Sequence, residues 1–265
     1  MLTPEQRAAW LAEGFFVIPS FVTPASGWVM ADEAIAAIRS DPPSAHRGQP
    51  GYFTAGELMI QPEAQPNLHA QAPEDEVAKI FNTHLGGAAR EFALSAAAGA
   101  IASELLGEDD IDVFQSQFIF KNPGAWGQPW HQDSHYFPFD RQPQVGLWLA
   151  ISSATLDNGC LSVLPGSHHG AIQPHGPDRR SGANQGYLEV TGLDETRAQP
   201  VLMEPGDLLV FHSYLLHRSQ DNRTAERRAA MVYHYGVAGT QPKQALLPMQ
   251  ERILRWTPVR RHAQV

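Results

Sequence analysis

Four residues of the types that bind metals and anions stand in an order that suggests one common site. His131 and Asp133 are separated by Gln132, and His217 and Arg228 follow much later in the chain. Two neutral imidazoles and one carboxylate can occupy one face of an octahedral metal ion and leave the other face open, as in non-haem Fe(II) oxygenases. The arginine adds a fixed cation that can hold a carboxylate through two parallel hydrogen bonds. The set therefore indicates a metal centre that works together with a bound carboxylic acid.

A His-x-Asp triplet alone is weak evidence, because the chain contains 12 histidines. His212 lies shortly before His217 and is the alternative third ligand. His135 follows the triplet and is a candidate for contact with the substrate, whereas His234 is expected to be a packed core residue of the last strand. The order of the features favours His217, since it follows several predicted strands and precedes a polar loop that leads to an arginine.

The composition is that of an acidic, cysteine-poor chain. Its 265 residues carry a formal net charge of -9 and a pI near 5.7, which argues against a nucleic-acid partner or an anionic membrane surface. Cys160 is the only cysteine, so an internal disulfide is impossible and a reducing compartment is expected. No segment has the apolar length of a membrane helix, and the N-terminus lacks a signal-peptide pattern. We expect a cytoplasmic protein with a small-molecule substrate and no membrane partner; the oligomeric state stays open.

The first 110 residues have mainly helical patterns. Thr3 precedes Pro4 and Glu5, which is typical of the start of a helix, and Gly14 is a typical stop. A short buried strand is expected directly afterwards, over residues 15–18. Further helices are predicted over residues 28–38, 74–83 and 87–106.

After residue 110 the hydrophobic pattern changes to that of short strands separated by turn-forming residues. The expected strands cover residues 113–120, 145–152, 161–163, 199–203, 208–211 and 231–237. Helices followed by many short strands predict a mainly β fold with flanking α-helices, either a β-barrel or a jelly roll. We expect a single domain over 1–265, with a helical part to about 110, a jelly-roll core over about 111–240 and a C-terminal tail over 241–265.

Strand geometry would bring the candidate residues together. Residues two apart in an extended segment project to the same side, so His131 and Asp133 can reach one metal while Gln132 points elsewhere. Arg227 and Arg228 are neighbours on a predicted strand, and only one of them can point inward.

Several motifs together resemble those of the phytanoyl-CoA dioxygenase family, a branch of the Fe(II)/2-oxoglutarate oxygenases. The resemblance spans about residues 1–240 and rests on the N-terminal Thr3-Pro4-Glu5-Gln6 and on Pro129-Trp130-His131-Gln132-Asp133, Asn158-Gly159-Cys160-Leu161, Leu164-Pro165-Gly166-Ser167-His168, His217-Arg218-Ser219 and Arg228. It implies a double-stranded β-helix, a cupin-like jelly roll with helices along one side.

The resemblance also implies roles for the site residues. It places His131, Asp133 and His217 on iron and Arg228 on the distal carboxylate of 2-oxoglutarate, which Ser219 can share. Arg228 is preferred to Arg227 because its distance from the second histidine fits the spacing in the family.

Weaker candidates surround this set. Gln115 and Gln117 share one face of the strand that leads to the triplet, where relatives contact co-substrate or substrate. Trp148 resembles an aromatic residue near the co-substrate, with core packing as the alternative. Gln132 is a candidate for a hydrogen bond to the co-substrate or for support of its turn. Lys121 precedes a Pro-Gly turn as in the family, and we expect it to be solvated.

The expected activity is hydroxylation of an unactivated C–H bond of a small molecule, with Fe(II), 2-oxoglutarate and O2 as cofactor and co-substrates and release of succinate and CO2. Asp133 favours hydroxylation or desaturation, since related halogenases lack this carboxylate. Two alternatives remain. One is a cupin-like isomerase or hydrolase in which the same triad binds a metal that activates water or a carbonyl; the other is a non-catalytic binding protein on the same fold.

Overall fold

The computed structural model of the protein describes residues 1–46, 51–63, 70–180 and 187–260. The described residues before residue 110 form four α-helices and four strands, which in chain order are α1 (Pro4–Glu13), β1 (Phe15–Ile18), α2 (Pro24–Ser40), β2 (Phe53–Ala55), β3 (Leu58–Pro62), β4 (Val77–Phe81), α3 (Gly87–Ala93) and α4 (Ala96–Leu106).

The rest of the described chain is mainly strand. Its elements are β5 (Ile111–Lys121), α5 (Asp133–Tyr136), β6 (Val145–Ala150), β7 (Leu161–Val163), β8 (Gly176–Pro177), β9 (Leu188–Glu189), β10 (Gln199–Val201), β11 (Leu208–His212), β12 (His217–Ser219), β13 (Arg228–Val237), α6 (Pro248–Ile253) and β14 (Thr257–Arg260).

Within the described ranges, two sheets form a jelly roll. The major sheet runs in the order β1-β11-β6-β13-β5-β4-β3-β2, with β14 also paired to β5, and the minor sheet runs β10-β7-β12. One apolar cluster joins Trp148, Phe211 and Val232 of the major sheet to Val163 and Val201 of the minor sheet. The expected fold class, a jelly roll with flanking helices, is confirmed.

The helices cover the other face of the major sheet. Met30 and Ile38 of α2 and Ile101 of α4 belong to one buried cluster with Phe118 and Met231 of β5 and β13. This layer leaves the concave face between the two sheets free for a cavity. Among the described residues, no helix has both the length and the apolar character needed to cross a bilayer.

The first helix forms as the sequence predicts. The Thr3 hydroxyl accepts a hydrogen bond from the Gln6 backbone N–H, and the Gln6 side chain accepts one from the Thr3 N–H. This reciprocal pair satisfies two N–H groups that would otherwise lack partners. Gly14 ends the helix with φ +84°, a left-handed conformation that glycine adopts without a steric penalty.

Two predicted helices differ in the structure. Residues 74–83 form a short 3-10 turn followed by strand β4, because β4 pairs with both β3 and β5. Val77, Ile80 and Phe81 have helix-like spacing, and a short apolar run does not distinguish helix from strand. The predicted helix over 87–106 is two helices, since Ser95 caps α4 by accepting from the Ala98 N–H.

The C-terminal segment is an integral part of the structure. Strand β14 pairs with β5, so that Thr257 lies opposite Val113. Trp256 stacks on Phe114 at a ring distance of 4.9 Å. Strand β14 therefore extends the major sheet, and Trp256 packs against its residue Phe114, within the segment that was expected to be a tail.

Candidate metal centre and anion cavity

His131, Asp133 and His217 meet at one point between the sheets. Their ligand atoms all lie within 4.8 Å of one another, and the two histidine rings are 4.1 Å apart. Reciprocal backbone hydrogen bonds between His131 and His217, 2.9 and 3.0 Å long, fix this approach. The distant parts of the sequence are thus brought together by backbone pairing, and the three side chains lie where they could hold one metal ion.

Backbone carbonyls fix the tautomers of both histidines. His131 Nδ1 lies 2.7 Å from the Pro129 carbonyl oxygen, and His217 Nδ1 lies 3.0 Å from that of Leu215. A carbonyl only accepts, so Nδ1 carries the proton and donates in each ring. Nε2 of each ring therefore keeps its lone pair and points to Asp133, whose Oδ1 is 3.5 Å from His131 Nε2 and 3.7 Å from His217 Nε2.

The electrostatics of the set favour the protonation states that bind a cation. Burial, and then the nearby His131, lower the pKa of His217 to about 4, so this ring is neutral at physiological pH. Burial alone would raise the pKa of Asp133, but the surrounding His217 and His234 rings and hydrogen bonds hold it well below its usual range. Neutral imidazoles and an ionised carboxylate are the forms that bind a divalent metal.

A third histidine contacts the set. His234 Nε2 lies 2.8 Å from Asp133 Oδ2, and the ring is 1% exposed. His234 was expected to be a packed core residue. It is indeed buried, and in addition it hydrogen-bonds the carboxylate of the candidate metal site.

The three metal-ligand candidates open into a cavity of about 710 Å³. Strands β5, β6 and β13 form its floor, and its outer part is lined largely by aromatic and aliphatic side chains, among them Tyr52, Phe81, Trp126, Tyr136, Phe137 and Met249. The cavity is large enough for a small co-substrate and a substrate together.

Arg228 lies in the inner part of this cavity with unused hydrogen-bonding capacity. Its side chain is 1% exposed, and only Nη2 has a partner, the Gly159 carbonyl oxygen at 3.2 Å. Nε and Nη1 are buried and have no hydrogen-bond partner in the described part of the chain. Burial lowers the pKa of Arg228 to about 10, which still leaves it charged at neutral pH. A buried guanidinium with unsatisfied donors fits a bound carboxylate.

Lys121 is a second buried basic residue in the same cavity. It is 4% exposed, so the expectation of a solvated lysine is wrong. Its Nζ donates to the Ser219 hydroxyl at 2.8 Å and to the Gln220 carbonyl oxygen. Ser219 Oγ also accepts from the Gln128 N–H at 3.0 Å. Because Ser219 Oγ accepts twice, its own O–H can donate into the cavity, as expected for a residue that shares an anion with Arg228.

Most of the weaker candidates also line the cavity. Gln115 and Gln117 project from β5 into it, and Trp148 lies 5.3 Å from the guanidinium carbon of Arg228. His135 lines the outer part, where its ring stacks on His175 at 4.0 Å. These positions allow contacts with co-substrate or substrate.

The structure contradicts a contact between Gln132 and the co-substrate. Its side-chain amide donates to the Tyr214 carbonyl oxygen at 2.7 Å, and its carbonyl accepts from the Gln173 N–H at 2.7 Å. The side chain is completely buried and does not line the cavity. Alternation places Gln132 on the side opposite His131 and Asp133, so it supports the turn and does not contact a co-substrate.

The positions of Arg227 and His212 distinguish them from Arg228 and His217, to which they were the alternatives. Arg227 points away from the cavity, donating to Asn122 Oδ1 at 2.7 Å and to Asp75 Oδ1 at 2.5 Å. His212 lies outside the cavity lining, and its Nδ1 accepts from the Tyr214 N–H. Arg228 and His217 are therefore the members of each pair that face the site.

Two groups of lining residues did not stand out in the sequence. Lys79 of β4 reaches the cavity, with its Nζ 3.3 Å from Gln128 Oε1 and 4.9 Å from the Tyr187 ring. Helix α6 supplies Met249 and Ile253. Lys79 was missed because a helix was expected over residues 74–83. Helix α6 was missed because it lies in the segment expected to be a tail.

Comparison with known proteins agrees with this geometry. The phytanoyl-CoA dioxygenase (PhyH) family matches residues 10–230. The peroxisomal phytanoyl-CoA dioxygenase of Homo sapiens is 39% identical over 113 residues, which is 42% of this chain and 33% of the human protein. The dioxygenase lolE1 of Epichloe uncinata is 30% identical over 142 residues, 54% of this chain and 52% of that protein. The matched segment thus spans about a third to a half of these relatives.

Solved structures share the fold over nearly the whole chain. EvdO2 from Micromonospora carbonacea var. aurantiaca, complexed with 2-oxoglutarate, superimposes with a TM-score of 0.66 at 22% identity, covering 96% of this chain and 97% of that one. The non-haem α-ketoglutarate-dependent carbocyclase SnoK gives 0.68 at 18% identity over 98% and 94%. With the match over residues 10–230, these findings show that the chain belongs to the phytanoyl-CoA dioxygenase family of Fe(II)/2-oxoglutarate oxygenases.

Proposed function

We propose that this protein is an Fe(II)- and 2-oxoglutarate-dependent hydroxylase of a small, largely apolar molecule. The observation that carries the proposal is the arrangement inside one cavity: three metal-ligand candidates that face one another, and a buried Arg228 with two unpartnered nitrogens.

The donor set fits Fe(II). His131 and His217 offer Nε2, and Asp133 offers Oδ1. These three atoms would hold the metal from one side and leave other positions for exchangeable ligands. When bound, Fe(II) with 2-oxoglutarate and O2 supplies an oxidant for a C–H bond, giving the hydroxylated product, succinate and CO2. The chain contributes position and a dry cavity, since the reactive chemistry belongs to the cofactor.

Arg228, Lys121 and Ser219 would hold the distal carboxylate of 2-oxoglutarate. Arg228 and Lys121 supply positive charge, and Ser219 supplies a hydroxyl proton. Among the described residues, Arg228 Nε and Nη1 have no hydrogen-bond partner, and Lys121 Nζ donates to two uncharged oxygens. Positive charge on this pair would therefore need an anion to compensate it. A dicarboxylate co-substrate meets this requirement and leaves its other end free to reach the metal.

The outer cavity favours an apolar substrate. Its walls include Tyr52, Phe81, Trp126 and Tyr136, and α6 adds Met249 and its aliphatic neighbours. Side chains of this kind exclude water and hold a substrate mainly through apolar contact. His135 and Gln117 would provide the few polar contacts that orient it.

Anaerobic absorbance titration tests the proposal. Metal-free protein receives Fe(II) and then 2-oxoglutarate, and a weak visible charge-transfer band is expected when the 2-oxo acid chelates the metal. The band should be lost in His131→Ala because a ligand is missing. In Arg228→Ala it should require much higher 2-oxoglutarate concentrations. His212→Gln, outside the cavity, is the matched control and should behave as wild type.

Each negative result has a separate meaning. Fe(II) binding without a band at saturating 2-oxoglutarate would contradict the proposal and favour a metal-dependent isomerase or hydrolase. Absence of metal binding would favour a binding protein. Formation of succinate from 2-oxoglutarate under air, even slowly and without the physiological substrate, would support the hydroxylase.

A further inference from the structure

The two oxygens of Asp133 face different partners. Oδ1 faces His131 Nε2 and His217 Nε2 at 3.5 and 3.7 Å, whereas Oδ2 lies 2.8 Å from His234 Nε2. An oxygen that is engaged in a short hydrogen bond is less available to a metal. We propose that His234 is a positioning residue that holds Asp133 as a one-oxygen ligand, so that the metal binds Oδ1 alone. The proposal rests on the metal site of the proposed function.

The surroundings of His234 keep this hydrogen bond in one form. The ring is enclosed by Phe114, Phe137 and Phe211, with ring distances of 6.0, 5.0 and 6.2 Å. His234 Nδ1 is buried and has no hydrogen-bond partner within the described ranges. A proton on Nδ1 would be a buried N–H without an acceptor, which is costly. The tautomer that fits carries its proton on Nε2, and this N–H donates to Asp133.

Strand β13 fixes the position of His234 relative to the rest of the cavity. His234 lies opposite Gln115 on β5 and opposite Gly146 on β6, in the middle of the sheet. Arg228 and His234 line the same cavity from the same strand, as their even spacing requires. Strand β13 therefore carries Arg228, the proposed anion-binding residue, at its start and His234, the proposed support of Asp133, further along.

The consequence for the metal concerns the number of open positions. A carboxylate that binds through both oxygens would occupy one more position of an octahedral ion and leave too few for a chelating co-substrate together with a further ligand. Hydrogen-bond partners of metal ligands commonly change metal affinity 10- to 100-fold when they are removed. His234 would thus affect both metal affinity and the binding of 2-oxoglutarate without touching either.

The test uses Co(II) as an air-stable probe added to the metal-free protein. Its visible bands report binding and coordination number. Removal of the donor in His234→Phe is expected to raise the Kd of Co(II) about 10- to 100-fold and to shift the bands toward higher coordination number. His234→Gln keeps a side-chain N–H of similar reach and should stay within about fivefold of wild type. His212→Gln, at a half-buried histidine outside the cavity, should be unchanged.

Thermal unfolding of each variant separates positioning from folding. If His234→Phe does not fold, His234→Asn replaces it, because asparagine carries an amide that is too short to reach Asp133. The proposal is overturned if a folded His234→Phe or His234→Asn binds Co(II) as tightly as wild type with unchanged bands. It is also overturned if His234→Gln loses as much affinity as His234→Phe. A wild-type protein that binds Co(II) but not 2-oxoglutarate would contradict the proposed function while leaving the role of His234 supported by its own variants.

Discussion

Lys121 and Arg228 lie directly opposite each other across the pairing of β5 and β13, and both side chains are buried on the cavity side. Burial, and then the charge of Arg228, hold the pKa of Lys121 well below its usual range. Burial beside Arg228 therefore disfavours a second positive charge on Lys121 while no anion is bound. A bound dicarboxylate would compensate both charges.

Arg228→Gln is expected to weaken 2-oxoglutarate binding about 100-fold, because a buried charged hydrogen bond contributes several kcal/mol to binding. The free energy of unfolding of the protein without 2-oxoglutarate should not fall, since the change removes an uncompensated buried charge. Isothermal titration of the Fe(II)-loaded protein measures the first effect under anaerobic conditions, and urea unfolding measures the second. Arg227→Gln is the matched control, because Arg227 faces Asn122 and Asp75. Equal losses of 2-oxoglutarate affinity in both variants would contradict the proposal that Arg228 binds the distal carboxylate.

Lys121→Met is expected to weaken 2-oxoglutarate binding and to remove part of its pH dependence. In the free protein the pKa of Lys121 is lowered, and a bound carboxylate would raise it. Binding therefore takes up a proton, so affinity should be highest at low pH and fall as pH rises through the pKa of the free state. Titrations from about pH 6 to about pH 9 in two buffers with different ionisation enthalpies would detect the proton uptake. A Lys121→Met protein that keeps the wild-type slope would show that another group is responsible.

The sequence predicted those site features that depend on local alternation. His131 and Asp133 face one side and Gln132 the other because side chains alternate in an extended segment. Of the two roles left open for Gln132, support of its turn agrees with this alternation, and a co-substrate contact does not. The same rule places Arg228 and His234 on one face of β13, so the position of His234 could also have been inferred.

Features that depend on pairing between distant segments could not be read in this way. Lys121 is buried because β13 brings Arg228 opposite it and β12 brings Ser219 to its amine. Neither contact has a local sequence signal, and an isolated lysine beside a turn is usually solvated. Helix α6 is held in place by contacts with an aromatic cluster that includes Leu254 and Phe114, so its contribution to the cavity also depends on tertiary structure.

Met249→Glu tests the apolar character of the outer cavity. Met249 is half-buried in α6 and lines the cavity, so a carboxylate there would have to be desolvated when an apolar ligand binds. With the fluorescent probe N-phenyl-1-naphthylamine, we expect affinity to fall about tenfold, while 2-oxoglutarate affinity changes less than about twofold. Leu156→Glu is the control, because Leu156 is an exposed leucine outside the cavity lining. Unchanged probe binding in Met249→Glu would show that α6 does not form part of the substrate site.

The surroundings of His84 lead us to expect that the free energy of unfolding falls in mild acid. Its Nε2 lies 2.7 Å from the Arg255 carbonyl oxygen and donates to it, and its Nδ1 lies 2.7 Å from Ser116 Oγ. Ser116 Oγ already accepts from the Thr83 hydroxyl and the His84 N–H, so its own proton goes to Nδ1. A second proton on the ring would therefore have no good acceptor. Burial, opposed by the Arg255 hydrogen bond, lowers the pKa of His84 from its ordinary value of 6.5 to about 4.

The sign follows from the proton counts of the two states. Between about pH 6.5 and about pH 4 the unfolded chain binds more protons at His84 than the folded protein does. The free energy of unfolding therefore falls as pH falls through this window, and above the window the contribution of His84 is fully present. For this group alone the loss at pH 5 is about 2 kcal/mol. Urea unfolding at pH 7 and pH 5 should show a smaller difference in His84→Gln, which keeps a donor for the Arg255 carbonyl but cannot be protonated. His169→Gln, at an exposed histidine, should keep the wild-type difference, and an equally steep loss in His84→Gln would show that other groups cause it.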